Sequence, residues 1–331
     1  MLGLSALVLA RAVAVVRTTA LRQATGLLMP DRPKARGRKA GTDSAAIKRV
    51  HGPPVVWKEL RAPFIQGADN RNSYIGLGIT VAALAFTYWG AASSGTLDED
   101  FTHTSYIMLF VFIGVIVNIV FSATRITTER ESQSWMLLLT TPLSDGEILF
   151  GKAVSAFRRC LPIWGLLAGH VILFTLVHYI HPVAILHLFM LVAWLTCFIT
   201  GAGLYFSARF ARTTSAVVAS FALVVGLWMV GPILAGLAGA MHKQANLFAA
   251  YMWTHPMAQA SLIMSGAAGV QNANAPWRSL NYSTGTVFRS SREFVDIGTA
   301  TWILAAVAAV YIVAGLAFFW RAKRLVRREV F

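Results

Sequence analysis

The chain has 331 residues, of which 56% are hydrophobic and 13% charged. A soluble domain carries roughly a quarter charged residues, so that class is excluded. The net charge of +15 invites a nucleic-acid partner, but its distribution along the chain argues against one.

Residues 1–29 are apolar and basic, with no acid before Asp31. Three readings stand open: a presequence, an interfacial amphipathic helix with snorkelling arginines, or the tail of an earlier span. The last would make the chain the second half of a longer protein. Residues 30–52 are polar, basic and rich in Pro and Gly, which predicts a solvated cytoplasmic linker. Residues 53–71 open with PPVVWKELRAPF, a short amphipathic helix. Pro54 suits its first turn and Pro63 ends it, while Trp57 and the stem of Arg61 suit a membrane interface.

From residue 72 onward the charges are bunched. No Asp, Glu, Lys or Arg occurs over Asn72–Leu97, Thr102–Thr124, Cys160–Ala208, Thr213–His242 or Ile297–Trp320. A bilayer core takes about 20 apolar residues per helix, and a central charge costs about 3 kcal/mol. Six transmembrane helices follow, at about 73–92, 105–124, 160–180, 183–207, 215–240 and 298–320, in an all-α integral membrane protein. Six spans put both termini on one side. That side carries 25 Lys and Arg against 4 in the opposite loops, so both ends are expected in the cytoplasm of a plasma-membrane protein. The basic excess is a topology signal, with no nucleic acid implied.

Cys160 and Cys197 both fall inside spans, so no disulfide framework is expected. His178, His181 and His187 cluster at the turn between spans 3 and 4, with no acidic or cysteine ligand near them. They read as interfacial histidines rather than a metal site, and no cofactor is expected. The spans hold no paired acids, nucleophile–base set or ion relay. Gly165 and Gly169 allow close helix approach, and Pro232 should kink the fifth span. Residues 242–297, the outer loop, are apolar enough around MWTHPMAQASLIMSGAAG to dip into the membrane.

The segment between spans 2 and 3 differs in kind. Thr128 and Glu131 fit a capping box, and the helix it would start carries Trp135, Leu138 and Leu139 on one face. Pro142 stops that helix. Ser144 and Glu147 form a second capping box, with Leu143 and Ile148 as its hydrophobic staple. Two short helices meeting at a fixed angle are expected, a geometry that suits docking of a partner. Gly146–Lys152 matches seven positions of a phosphate-binding loop, but Ala153 replaces the hydroxyl residue and no strand precedes it, so nucleotide binding is rejected.

The run E-R-E-x-x-S-W-x-L-L-L-x-T-P-L-S-x-x-E-I-L-x-G-K, Glu129 to Lys152, resembles that of type-2 ABC transporter permeases. PVVWKELR before the first span and the large loop between spans 5 and 6 strengthen the likeness, over residues 53–331. The resemblance implies a permease subunit of an exporter, without ATP chemistry of its own, driven by a cytoplasmic ABC ATPase. It implies a second permease half as partner, from a second copy or an upstream half of one parent protein. It also places a coupling helix on Glu129–Thr141 and an interfacial helix on Val55–Arg61. The residues it marks for coupling are Glu129, Arg130, Glu131, Trp135, Leu138, Leu139, Pro142, Ser144, Glu147 and Lys152. Trp57, Lys58, Glu59 and Arg61 belong to the helix before span 1. The competing reading is a membrane scaffold or regulatory subunit that docks a cytoplasmic partner without transport.

Overall fold

A computed structural model describes residues 53–61, 70–241, 246–283 and 294–326. The expectations for residues 1–29 and 30–52 fall outside the described residues. Helix α1 (Pro54–Arg61) precedes span 1, α2 (Asn70–Ser93). Span 2 is α3 (Asp100–Ala123), followed by two short helices, α4 (Thr127–Glu131) and α5 (Trp135–Leu139). Span 3 is α6 (Asp145–Leu176) and span 4 is α7 (Val183–Arg209). Span 5 runs through α8 (Thr213–Val225), a π-helical turn (Gly226–Val230) and α9 (Gly231–Met241). Beyond it come α10 (Asn246–Met252), α11 (Pro256–Ala267) and α12 (Val270–Ala273). A hairpin of β1 (Asn281–Ser283) and β2 (Phe294–Asp296) leads into span 6, α13 (Ile297–Leu325). Six helices are long and apolar enough to cross a membrane, and the chain is an all-α multi-pass membrane protein.

Span 4 is the hub. It packs against spans 2, 3, 5 and 6 and against α11. Small residues let it sit there: Gly201 meets the Gly315 backbone of span 6, and Gly203 meets the Ser122 side chain of span 2, with no room for a Cβ at either. Ser122 Oγ donates to the Ile199 carbonyl at 3.3 Å across that contact. Trp194 stacks on Tyr311 of span 6 at 4.3 Å and donates its indole N–H to buried Gln259 of α11. Helix α11 is itself buried between spans 2 and 4 and is tied to the turn between spans 3 and 4. His181 N donates to the Ala267 carbonyl, and Gly269 N to that of Tyr179.

Pro232 shows how the π-helical turn in span 5 is stabilised. A proline cannot donate to the preceding turn, which frees carbonyls there. The π turn lies just before it, and both freed carbonyls find donors on the neighbouring helices. Tyr251 OH donates to Leu227 O at 2.6 Å, and His255 Nε2 to Trp228 O at 2.8 Å.

Three expectations change. Span 3 begins at Asp145 rather than near 160, so the second short helix is the first stretch of one helix about 48 Å long at 1.5 Å per residue. The Glu129–Thr141 helix is interrupted at Ser132–Ser134, where Gln133 takes a φ of 60°. Gly165 and Gly169 face open space, so packing within the described residues does not use them. His170 accepts from or donates to Tyr88 OH at 2.7 Å and lies 3.4 Å from His103, joining spans 1, 2 and 3. His187 is held between Tyr282 and Thr301, and no group of three metal-ligating residues exists among the described residues.

Candidate functional site

The segment between spans 2 and 3 forms an elbow at the basic end of the bundle. Its first helix, α4, is capped from elsewhere: Ser207 Oγ of span 4 accepts from Ile126 N at 2.9 Å and Thr127 N at 3.1 Å. The Thr128–Glu131 capping box therefore does not form. Thr128 already sits inside the helix, its N–H bonded to the Thr124 carbonyl, because the backbone nearly continues span 2. The Glu131 carboxylate instead accepts from Thr213 N at 2.7 Å, capping the first turn of span 5. The second capping box does form. Glu147 N donates to Ser144 Oγ at 3.3 Å and Ser144 N to Glu147 Oε2 at 2.9 Å.

Trp135 turns inward. It is 3% exposed and packs with Ile126, Ile148, Leu149, Ala208, Ala322 and Val326, at the ends of spans 3, 4 and 6. Half-buried Leu138, Leu139 and Leu143 pack on the same cluster, and the Arg130 guanidinium lies 5.9 Å from the Trp135 ring. The Trp135, Leu138 and Leu139 face thus packs on the protein's own spans. Facing out are Glu131, Ser132, Met136, Thr140, Pro142, Ser144 and Glu147.

The second part of the site is a buried ionic knot. Lys152 Nζ lies 2.6 Å from Glu59 Oε1 and 2.5 Å from Glu129 Oε1, with the lysine side chain 3% exposed. Ser155 Oγ donates to Glu59 Oε2 at 2.7 Å, and Arg158 to the Glu59 carbonyl at 2.8 Å. Arg125 donates to Ser155 Oγ from the end of span 2. Burial raises the Glu59 carboxyl, but the Lys152 charge and the bonds from Lys152 and Ser155 outweigh it, holding the group below the ordinary value. Val55 rests directly on Gly151, where a Cβ would not fit, so α1 lies flush on span 3. On α1, Trp57 is half-buried, Lys58 is exposed, and the Arg61 side chain lies outside the described residues.

Two helices separated by two spans in sequence are thus clamped to span 3 by one lysine. The residues Glu59, Glu129 and Lys152 come together; Glu131 and Glu147 go to separate helix starts. Ser207, Ser155 and Val55 were not foreseen. The signal for the knot was present, since a buried-side lysine demands carboxylates. The phosphate-loop lookalike lies in the opening turns of α6, with Lys152 turned to two carboxylates rather than to an anion site. The result is an elbow, broken at Gln133 and closed by Ser207 and Ser144, that is seated on the ends of three spans.

The family described as ABC-2 family transporter protein matches residues 40–324. Over 103 residues the chain is 35% identical to a protein named "Probable ABC transporter permease protein NosY" from Stutzerimonas stutzeri. It is 30% identical over 103 residues to a protein of the same name from Pseudomonas aeruginosa. These alignments take in 30% of the chain and span 37% and 38% of the two relatives. The chain belongs to the ABC-2 family of transporter proteins.

Proposed function

We propose that the chain is the permease subunit of an ABC exporter and that a separate cytoplasmic ATPase pushes on the elbow. The observation that carries this reading is the seat of Trp135 against the ends of spans 3, 4 and 6. A force applied to the exposed side of the elbow reaches three spans at once through a close-packed contact. The ionic knot adds α1 to the same body. The capped start of α6 keeps the helix axis from fraying under load. The ATPase supplies the chemistry, and the chain itself is no enzyme.

On this reading the basic end faces the cytoplasm of the inner membrane, both termini lie inside, and a second permease half completes the pathway. The exposed apolar faces of spans 1 and 5, including Phe86, Trp89, Ile233 and Leu237, are available to lipid or that second half. The test uses the chain purified with its ATPase in proteoliposomes. Met136→Asp, on the outward side of the elbow, should abolish co-purification of the ATPase while leaving membrane insertion intact. Retained ATPase with unchanged ATP turnover would overturn the docking assignment. Coupled binding with no transport-linked turnover would support the scaffold reading instead.

A further inference from the structure

The seam where spans 3, 4 and 6 meet forms an open apolar groove of about 530 Å³, within the size range of ligand pockets. Its walls include Phe150, Ala153 and Phe157 of span 3, Ala193 of span 4, and Leu316 and Phe319 of span 6. The furrow exists because spans 4 and 6 touch backbone to backbone at Gly201 and Gly315, leaving no side chain to fill it. It is not lined by any charge. Of its two threonine hydroxyls, that of Thr200 is committed to Asn118 Oδ1. A second apolar recess of about 220 Å³ shares Trp164, Phe189 and Val192 with it and extends along spans 3 and 4 toward the opposite end. From Phe150 to Trp164 alone the groove follows span 3 for about 21 Å at 1.5 Å per residue.

The basic end of this groove is marked by a cation. Gly146, Phe150, Ala153 and Phe157 form one stripe of span 3 at helical spacing, and the Lys323 ammonium lies against Gly146, 3.5 Å from where a Cβ would stand. Lys323 is itself one turn beyond Phe319 on span 6. The end of span 6 carries Arg321, Lys323 and Arg324, against Asp145 and Glu147 at the start of span 3. Glu147 is turned back onto Ser144, and Arg324 is stacked on Trp320 at 3.5 Å. A long apolar groove open to the bilayer, ending at an exposed ammonium, complements one chemistry. We propose that the seam holds an anionic phospholipid, its phosphate at Lys323 and one acyl chain in the furrow. A free phosphate would leave the furrow unfilled, and a zwitterionic lipid would bring its own cation beside the phosphate and leave the lysine charge less compensated. Such a lipid would wedge span 3, which carries the elbow, against spans 4 and 6. The proposal does not depend on the elbow's partner.

Native mass spectrometry of the full chain in detergent tests it, with palmitoyl-oleoyl phosphatidylglycerol and the phosphatidylcholine of the same chains as probes. Retention of the phosphatidylglycerol adduct should exceed that of phosphatidylcholine by about fivefold, the contribution of one lysine at an anionic surface. Lys323→Gln should level the two lipids, whereas Arg324→Gln should leave the preference in place. Ala153→Phe and Ala193→Phe, which fill a half-open wall, should each remove the retained adduct of either lipid. Equal retention of both lipids by the unaltered chain would overturn the proposal. So would full retention by both filled variants, since only a shell of unspecific lipid would then remain.

Discussion

Lys152 Nζ and Glu59 Oε1 lie 2.6 Å apart and buried, though 93 residues separate them in sequence. The same ammonium reaches Glu129, so one cation in span 3 holds both the helix before span 1 and the elbow after span 2. Removing one partner of a buried pair leaves the other charge uncompensated.

Lys152→Met should therefore destabilise the knot by about 3–5 kcal/mol, because the buried Glu59 carboxylate and the half-buried Glu129 lose their shared counter-ion. The expected outcome is release of α1, read as new protease cleavage near residues 53–61 and a lower Tm in detergent. Gly151→Val should release α1 too, by pushing Val55 away with the charges untouched. Unchanged cleavage in both variants would show that α1 is held by something else.

Trp135→Ala should cost about 3–5 kcal/mol as a large-to-small change in a packed cluster. The loss belongs to the contact between the elbow and spans 3, 4 and 6. Denaturant unfolding of the purified chain measures it, and on the proposed permease reading ATP-driven turnover with a partner ATPase should fall while its binding persists.

The two helix starts should respond differently. Ser144→Ala removes a real cap and should cost about 1 kcal/mol. Thr128→Ala should change stability little, since Ser207 caps that helix. Ser207→Ala should then resemble Ser144→Ala in size. A larger loss from Thr128→Ala than from Ser207→Ala would contradict the capping described.

The Glu59 carboxyl is held below its ordinary value of 4.5. A depressed acid contributes stability that is complete above the unfolded value and is lost as pH falls through the folded value. Docking of α1 should thus be constant from neutral pH down to pH 4.5 and weaken only below it. Hydrogen exchange of the α1 amides against pH reads this directly, and Glu59→Gln should flatten the profile.

Much of the architecture was legible in one dimension because the bilayer imposes it. Charge-free runs and the bunching of Lys and Arg reflect the cost of burying charge in hydrocarbon, which depends on local composition and not on partners. The Ser144–Glu147 box was legible for the same reason, since its bonds span three residues. The Thr128–Glu131 box obeyed the same spacing and failed, because span 4 supplied Ser207 and span 5 claimed Glu131. Which side of Trp135 is buried, which carboxylates meet Lys152, and where glycines open a furrow between spans all depend on pairings between different helices, most of them far apart in sequence. Sequence alone thus determined what lies in the membrane and the one helix start, at Ser144, that is closed by its own neighbours. Tertiary structure decided which of those helices share a counter-ion or a core, because a hydrogen bond or ion pair is claimed by whichever group packing brings nearest.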